Sequence, residues 1–392
     1  MSESGIWELC GETAKANLKI APADIDGSPE GWSVTKTTMK AGLSAGVEVI
    51  EVNNGFQSLF ILPTRGMGLW KIQSGEVRVG WDSLIKHPVH PAFVDLKSRN
   101  KLGWLDGFNE LVTRCGLTSN GPPGIDETAG AIESDLTLHG RIANLPATSV
   151  TLQLVETDGE TEIVVRGTVS EATLFGQHLE LVSEYRTVLN SNEVTITDCV
   201  TNRSGRGAEL QLLYHINIGS PILEKGSIWH APLKRLTPRD ARATEELDTY
   251  STYREPTTGY AEEAFFCKPI TDSDGFTPVL LTNASQTEAV SLDFDTTSLP
   301  CLTIWKNTQS LADGYCTGLE PGTNYPNFKA QERREGRVVK LAAGASWKTS
   351  MKLSLLTDSN KISSKLDQIA ELQTQAELQV DRNLVKGISG DQ

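Results

Sequence analysis

Glu320 lies in Gly318-Leu319-Glu320-Pro321-Gly322-Thr323-Asn324-Tyr325-Pro326-Asn327, a stretch rich in glycine, proline and asparagine between two strand-like runs. Turn chemistry there would fix the backbone and leave the carboxylate free to act as a general base. Two histidines answer it from far along the chain. His139 stands in Leu138-His139-Gly140-Arg141-Ile142-Ala143-Asn144-Leu145-Pro146, and His215 in Leu213-Tyr214-His215-Ile216-Asn217-Ile218-Gly219. One carboxylate and two imidazoles make a proton-transfer set if the fold brings them together. Asn217, on the same strand face as His215, adds a polar partner.

Other reactive patterns are weaker. Arg65 follows an apolar run and neighbours Gly66 and Gly68, which suits either a solvated turn or a ligand for a substrate hydroxyl. His87 and His90 are each followed by proline, which rules out an ordinary helix, and no cysteine ligand stands near them, so no metal site is expected. Gly42-Leu43-Ser44-Ala45-Gly46 matches the G-x-S-x-G pattern, but a strand follows it where a nucleophile elbow needs a helix. With no phosphate loop and no dinucleotide fingerprint in a βαβ context, no nucleotide cofactor is expected either.

The elements that must position these groups are strands. At 392 residues, 38% hydrophobic and 22% charged with 34 glycines and 17 prolines, the chain reads as a turn-rich globular protein with material for a full core. Even spacing of Leu152 and Leu154, Ile163 and Val165, Leu179, Leu181 and Tyr185, and Val194 and Ile196, with turns at Asp158-Gly159, Asn190-Ser191-Asn192 and Asn202-Arg203-Ser204-Gly205, predicts antiparallel strands. Further strands are expected near 47–52, 58–62, 209–215, 290–294, 302–305, 337–341 and 347–355. Segments 81–125 and 220–275 read as loops. Ile362, Leu366, Ile369, Leu372 and Ala376 recur at helical spacing after Asp358-Ser359-Asn360, which predicts one amphipathic C-terminal helix. The expected organisation is an irregular N-terminal arm over 1–35, an all-β domain over 36–357, and a helix and tail over 358–392.

A net charge of −14 argues against a nucleic-acid or anionic-membrane partner and suits a neutral or cationic small molecule. Cys10, Cys115, Cys199, Cys267, Cys301 and Cys316 form no C-x-x-C pair and read as free thiols, several of them buried. Residues 1–7 lack a basic start and an apolar core, and no apolar run approaches membrane-spanning length, so a cytoplasmic protein is expected.

His-Gly after an apolar residue, Tyr-His-x-Asn on a strand, and Gly-Leu-Glu-Pro followed by Pro and Asn together resemble the galactose mutarotase-like (aldose 1-epimerase) superfamily. Phe108-Asn109-Glu110-Leu111, Arg114-Cys115-Gly116-Leu117, His139 to Asn144 and Tyr214 to Asn217 are most like an aldose-epimerase-like branch of it, over roughly residues 60–355. The resemblance implies a β-supersandwich and interconversion of the anomers of a free monosaccharide, with no metal or organic cofactor. It assigns Glu320 the proton of the anomeric hydroxyl, His215 the ring oxygen, and His139 an assisting role. It makes Arg65, Arg141, Asn217, Trp81 and Asn324 candidate sugar ligands. An ionised Glu320 beside a protonated His215 is expected. A non-catalytic carbohydrate-binding protein and another sugar-active enzyme, a lyase or hydrolase, are the alternatives, since fold does not fix function. A homo-oligomer is left open.

Overall fold

The computed structural model describes residues 5–128 and 132–390. The alternation read from the sequence builds the smaller of two large sheets. Along His178–Val188 and Glu193–Asn202 every second residue is buried, with Leu179, Leu181, Tyr185, Val194, Ile196 and Val200 turned inward and polar side chains outward. These strands belong to a nine-stranded antiparallel sheet that runs from Ile6–Cys10 at one edge to Ile228–His230 at the other.

The larger sheet has fourteen strands, of which six matter to the site: β1 (Val112–Leu117), β2 (Ala208–Ile218), β3 (Leu233–Pro238), β4 (Glu263–Pro269), β5 (Cys301–Asn307) and β6 (Cys316–Gly322). They lie side by side in the order β1-β2-β6-β5-β4-β3. Tyr214, Ile216, Leu319 and Ile304 point inward and share one core with Leu181, Ile196, Leu292 and Leu353 of the smaller sheet. Arg114 of β1 crosses that core to the carboxylate of Asp198, with Nη2 2.9 Å from Oδ1, and the Tyr214 hydroxyl donates to Oδ2 at 2.7 Å. Both ends of the pair are fully buried, so removing either would strand a charge between the sheets.

The outer face of the larger sheet is also buried. Leu213, Cys115 and Cys316 pack under Trp81, Trp104 and Phe108 of the 81–110 segment. With cover on both faces, β6 is buried along its whole length and β2 nearly so. The fold is thus the all-β supersandwich expected. A helix, α1 (Ser359–Gln373), follows the last long strand, capped by Asp358, whose side chain accepts from the Asn360 amide at 2.8 Å. Its Ile362 and Ile369 lie against Leu280, Ala289 and Leu356 of the smaller sheet.

Three local expectations change. Within 1–35, Ile6–Cys10 pairs with Ser149–Thr157 and Leu18–Ile20 pairs with Ser33–Thr38, so the arm extends an edge of each sheet instead of lying irregularly; strands this short carry no readable period. The segments read as loops hold strands: 81–125 contains β1, and 220–275 contains β3 and β4. Glu320 sits inside β6 and not in a loop, because Gly318, Pro321 and Gly322, which read as turn residues, are accommodated within a ladder that skips Glu320 and Pro321 on its β2 side. Beyond α1, Gln379–Val380 runs parallel to β3, and Ile388 to Gly390 return to the 326–331 and 238–239 segments, where the Asn327 amide donates to the Ile388 carbonyl at 2.9 Å and the Gly390 N–H to that of Arg239 at 2.9 Å. Among the described residues no helix is long and apolar enough to cross a membrane.

Candidate active site

Antiparallel register sets the first pair. Leu213 lies opposite Gly322 and Ile216 opposite Leu319, which puts His215 of β2 across from Glu320 of β6. Thr303 of β5 pairs with Glu320 and Thr113 of β1 with His215, so four neighbouring strands present one row of polar side chains to the outer face. His215 Nε2 is 3.1 Å from Glu320 Oε1, a close contact without hydrogen-bond geometry, and this oxygen has no hydrogen-bond partner among the described residues. Gly318 gives the carboxylate its room: a Cβ there would stand 2.3 Å from Glu320 Oε1.

Both groups are almost wholly buried, Glu320 at 3% exposure and His215 at 5%. Burial pushes the Glu320 carboxyl well above its ordinary range, Glu262 adds to the shift, and Arg239 opposes it. Burial likewise pulls His215 down to about 3, with His139 contributing and the hydrogen bond to Asn217 opposing. Each partner disfavours its charged form. The expected resting pair of carboxylate and imidazolium is therefore corrected: burial favours a neutral carboxyl beside a neutral imidazole.

His139 arrives from a turn, not a strand. Its φ of 56° and that of Gly140, 68°, are both left-handed, and a Cβ on Gly140 would stand 2.4 Å from the carbonyl oxygens of Gly116 and Ser119. The His-Gly order is thus required by backbone crowding. His139 Nδ1 lies 2.8 Å from the Asn120 carbonyl, which makes it the protonated nitrogen and leaves Nε2 bare. Its ring centroid is 5.8 Å from that of His215 and 4.7 Å from that of Trp104. Burial holds it below the usual histidine value, against the Asn120 hydrogen bond and the Glu262 charge.

The three groups share one cavity of about 330 Å³, walled by Trp104, Phe108, Leu138 and Trp305 and opening past Leu102, Leu105, Pro122 and Pro326. Phe108 and Trp305 contact the His215 ring at centroid distances of 4.9 and 5.2 Å. Arg239, directly after β3, and Glu262, directly before β4, form the polar rim. Glu262 receives the Trp305 indole N–H at 2.6 Å and an Arg239 N–H at 3.0 Å. Neither rim residue was singled out in the sequence, where β3 and β4 were not visible as strands. A larger hollow of about 540 Å³ lies between Asp126, Glu209, Lys329 and Arg333, but Arg333 spends its charge on Asp126 at 2.6 Å and Glu209 at 2.7 Å.

The five expected sugar ligands lie outside the cavity lining. Arg65 is 1% exposed and fully engaged by Glu110 at 2.7 Å, Asn144 at 2.6 Å and the Gly107 carbonyl at 2.9 Å, so it ties the 81–110 cover to the turn after His139. Arg141 is exposed and turned toward Thr173. Trp81 lies beneath Phe108 and donates to the Glu110 carbonyl at 3.2 Å. Asn324 exchanges side-chain hydrogen bonds with Asn120, the residue that holds His139. Asn217 is fully buried against His215. Arg65, Trp81, Asn217 and Asn324 are thus buried in the framework around His139, His215 and Glu320.

Two facing sheets, with a cavity on the outer face of one, make a galactose mutarotase-like fold. The comparisons agree. A family model described as a domain of unknown function (DUF4432) matches residues 44–355, and the chain belongs to that family. The structure of a "putative aldose 1-epimerase" from Klebsiella pneumoniae subsp. pneumoniae superposes with a TM-score of 0.92 at 33% identity, over 97% of this chain and 98% of that one. A galactose mutarotase-like protein from Clostridium acetobutylicum (TM-score 0.56, 17% identity, 83% of this chain and 98% of that one) shares the fold. So does galactose 1-epimerase from Lactobacillus acidophilus NCFM (0.53, 11%, 82% and 98%). No curated protein matches the chain.

Proposed function

We propose that this protein is an aldose 1-epimerase-like isomerase that interconverts the anomers of a free monosaccharide. The observation that carries the reading is the convergence of His139, His215 and Glu320, each from a different part of the chain, on one cavity of about 330 Å³ with aromatic walls. Transfer of the Glu320 proton to His215 Nε2, 3.1 Å away, yields a Glu320 carboxylate and a His215 imidazolium without change of net charge. Glu320 then takes the proton of the anomeric hydroxyl as the bond from C1 to the ring oxygen breaks, and His215 gives its Nε2 proton to that oxygen. The open-chain aldehyde is left facing a neutral carboxyl and a neutral imidazole, the arrangement that burial favours. Rotation about the C1–C2 bond and reversal of both transfers closes the other anomer. His139, with Nε2 bare, accepts a hydrogen bond from a sugar hydroxyl.

Arg239 is already shared between Asp240 and Glu262, which supports a free sugar over a phosphorylated one. Six cysteines without a disulfide support a place in the cytoplasm. Polarimetry or NMR exchange on a panel of aldoses tests the reading. The expected result is catalysed anomer exchange that falls by about 10²–10⁴ in Glu320→Gln and His215→Ala, the size of a lost general acid or base. Sugar binding with no acceleration of exchange would instead make this a binding protein, a role the wall of Trp104, Phe108 and Trp305 also suits.

A further inference from the structure

Asn217 follows His215 by two residues on β2 and has no exposure. Its amide nitrogen donates to the Glu110 carbonyl at 3.0 Å and the His215 carbonyl at 3.1 Å. Those two acceptors fix which end of the amide is which, since a reversed group would set its oxygen against two other oxygens. Oδ1 therefore faces His215, 2.6 Å from Nδ1. An acceptor at that distance requires the proton on Nδ1. In the neutral ring Nε2 is then bare, and Nε2 is the atom 3.1 Å from Glu320 Oε1.

Asn217 is itself held. The Glu110 carbonyl also receives the Trp81 indole, and the Glu110 carboxylate is bound by Arg65 and by the Thr113 hydroxyl at 3.0 Å. A chain of buried hydrogen bonds thus runs from Arg65 to His215.

We propose that Asn217 is a positioning residue that locks His215 in its Nδ1–H tautomer, so that a bare Nε2 faces Glu320 and the two act as a reversible acid/base couple. The opposite tautomer would leave Nδ1 bare against an oxygen and place N–H on the side of Glu320, so the couple could no longer hold its proton on either partner. Titratable and charged groups around His215 and Glu320 are His139 from its turn, Cys115 on β1, Cys316 on β6, Glu110 with Arg65 beneath Asn217, and Glu262 and Arg239 at the rim. None of them contacts Nδ1.

The kinetic consequence rests on the anomer-exchange reading; the tautomer does not. Nitrogen-15 NMR of histidine-labelled protein, with His215 assigned by loss of its signals in His215→Gln, reads both ring nitrogens directly. Wild type is expected to show a protonated Nδ1, and Asn217→Leu a population protonated at Nε2 only. Kinetically, Asn217→Leu should lower kcat by about 10²–10⁴ at unchanged KM. Asn217→Asp keeps an acceptor for Nδ1 and, by placing a carboxylate there, should keep the tautomer and move the acid limb of the kcat profile to higher pH. A bare Nδ1 in wild type overturns the proposal, as does an Asn217→Asp profile that overlays that of wild type. Should Asn217→Leu fail to fold, Asn217→Asp and the wild-type spectrum still decide. Absence of sugar turnover in wild type would sink the proposed function and leave the spectrum to judge Asn217.

Discussion

Two strands of equal standing in the core, Glu193–Asn202 and β6, are built on different rules. The first buries alternate side chains and leaves the others partly in solvent; the second is buried at every position. The nine-stranded sheet supplies the inner half of the core, and His215 and Glu320, the proposed proton-transfer pair, lie on the outer face of the other sheet. Covering that second face with the 81–110 segment buries Glu320 and His215, and burial is what moves their equilibria. The lesson is a division of labour, with one sheet as scaffold and the other as the floor of the site.

That division can be broken by substitutions with opposite signatures. Glu320→Gln should lower the exchange rate by about 10²–10⁴ and leave urea stability undiminished, because it removes a buried ionisable group. Leu181→Ala, on the smaller sheet, should cost about 2–5 kcal/mol in urea and leave kcat unchanged. If Leu181→Ala cut kcat as deeply as Glu320→Gln, the two sheets would not be separable in this way.

Glycines sharpen the contrast at lower amplitude. Gly318→Ala would push a methyl into Glu320, and a displacement of about 1 Å in such a group can cost about 10² in rate. Gly205→Ala, in the turn after Glu193–Asn202, meets nothing within 4 Å and should change stability by no more than about 0.5 kcal/mol.

Acid provides a third comparison. His215 and His139 have depressed values in the folded protein, so the stability that comes from keeping them neutral is fully present above the unfolded value near 6.5 and is lost as pH falls, for His215 toward about 3. Glu320 has the opposite sign: its contribution is present below about 4.5 and is lost as pH rises through its raised value. Between pH 6.5 and 4.5 the gain from Glu320 offsets the loss from one histidine, so urea melts should show a net loss of up to about 1.4 kcal/mol per pH unit, and His215→Ala should flatten that slope. An unchanged slope would mean that the cavity is wetter than its packing implies. The smallest effect is expected from Arg141→Ala, whose guanidinium is outside the cavity; KM should stay as in wild type.

How much was legible from the residues follows the same division. The strands from 149 to 202 announced themselves through even spacing, and α1 through its helical spacing and Asp358 cap. β4 did not, because a strand covered on both faces loses the alternation that marks a strand; β3 is short and its register shifts between Leu233 and Arg235, and β6 was disguised by Gly318, Pro321 and Gly322. His139, His215 and Glu320 stood out by chemical type and local motif. Arg239 and Glu262 were missed because nothing in their immediate neighbours distinguishes them from surface charges; only the pairing of β3 with β4 and of β4 with β5 brings them to the rim. Arg65 and Asn324 were noticed for the right reason, a polar residue at a constrained place, but the constraint belongs to the framework.

The register of β2 against β6 has a consequence for how activity is gained. Adjacent positions on β2 alternate between the cavity and the inner core, so a slip of one residue would exchange His215 for Tyr214 or Ile216 and leave Glu320 facing a phenol or a hydrocarbon. No intermediate alignment offers a weakened version of the couple. Recovery of turnover during refolding should accordingly count correctly aligned molecules one by one, a clock for strand alignment that compactness or helix content cannot supply.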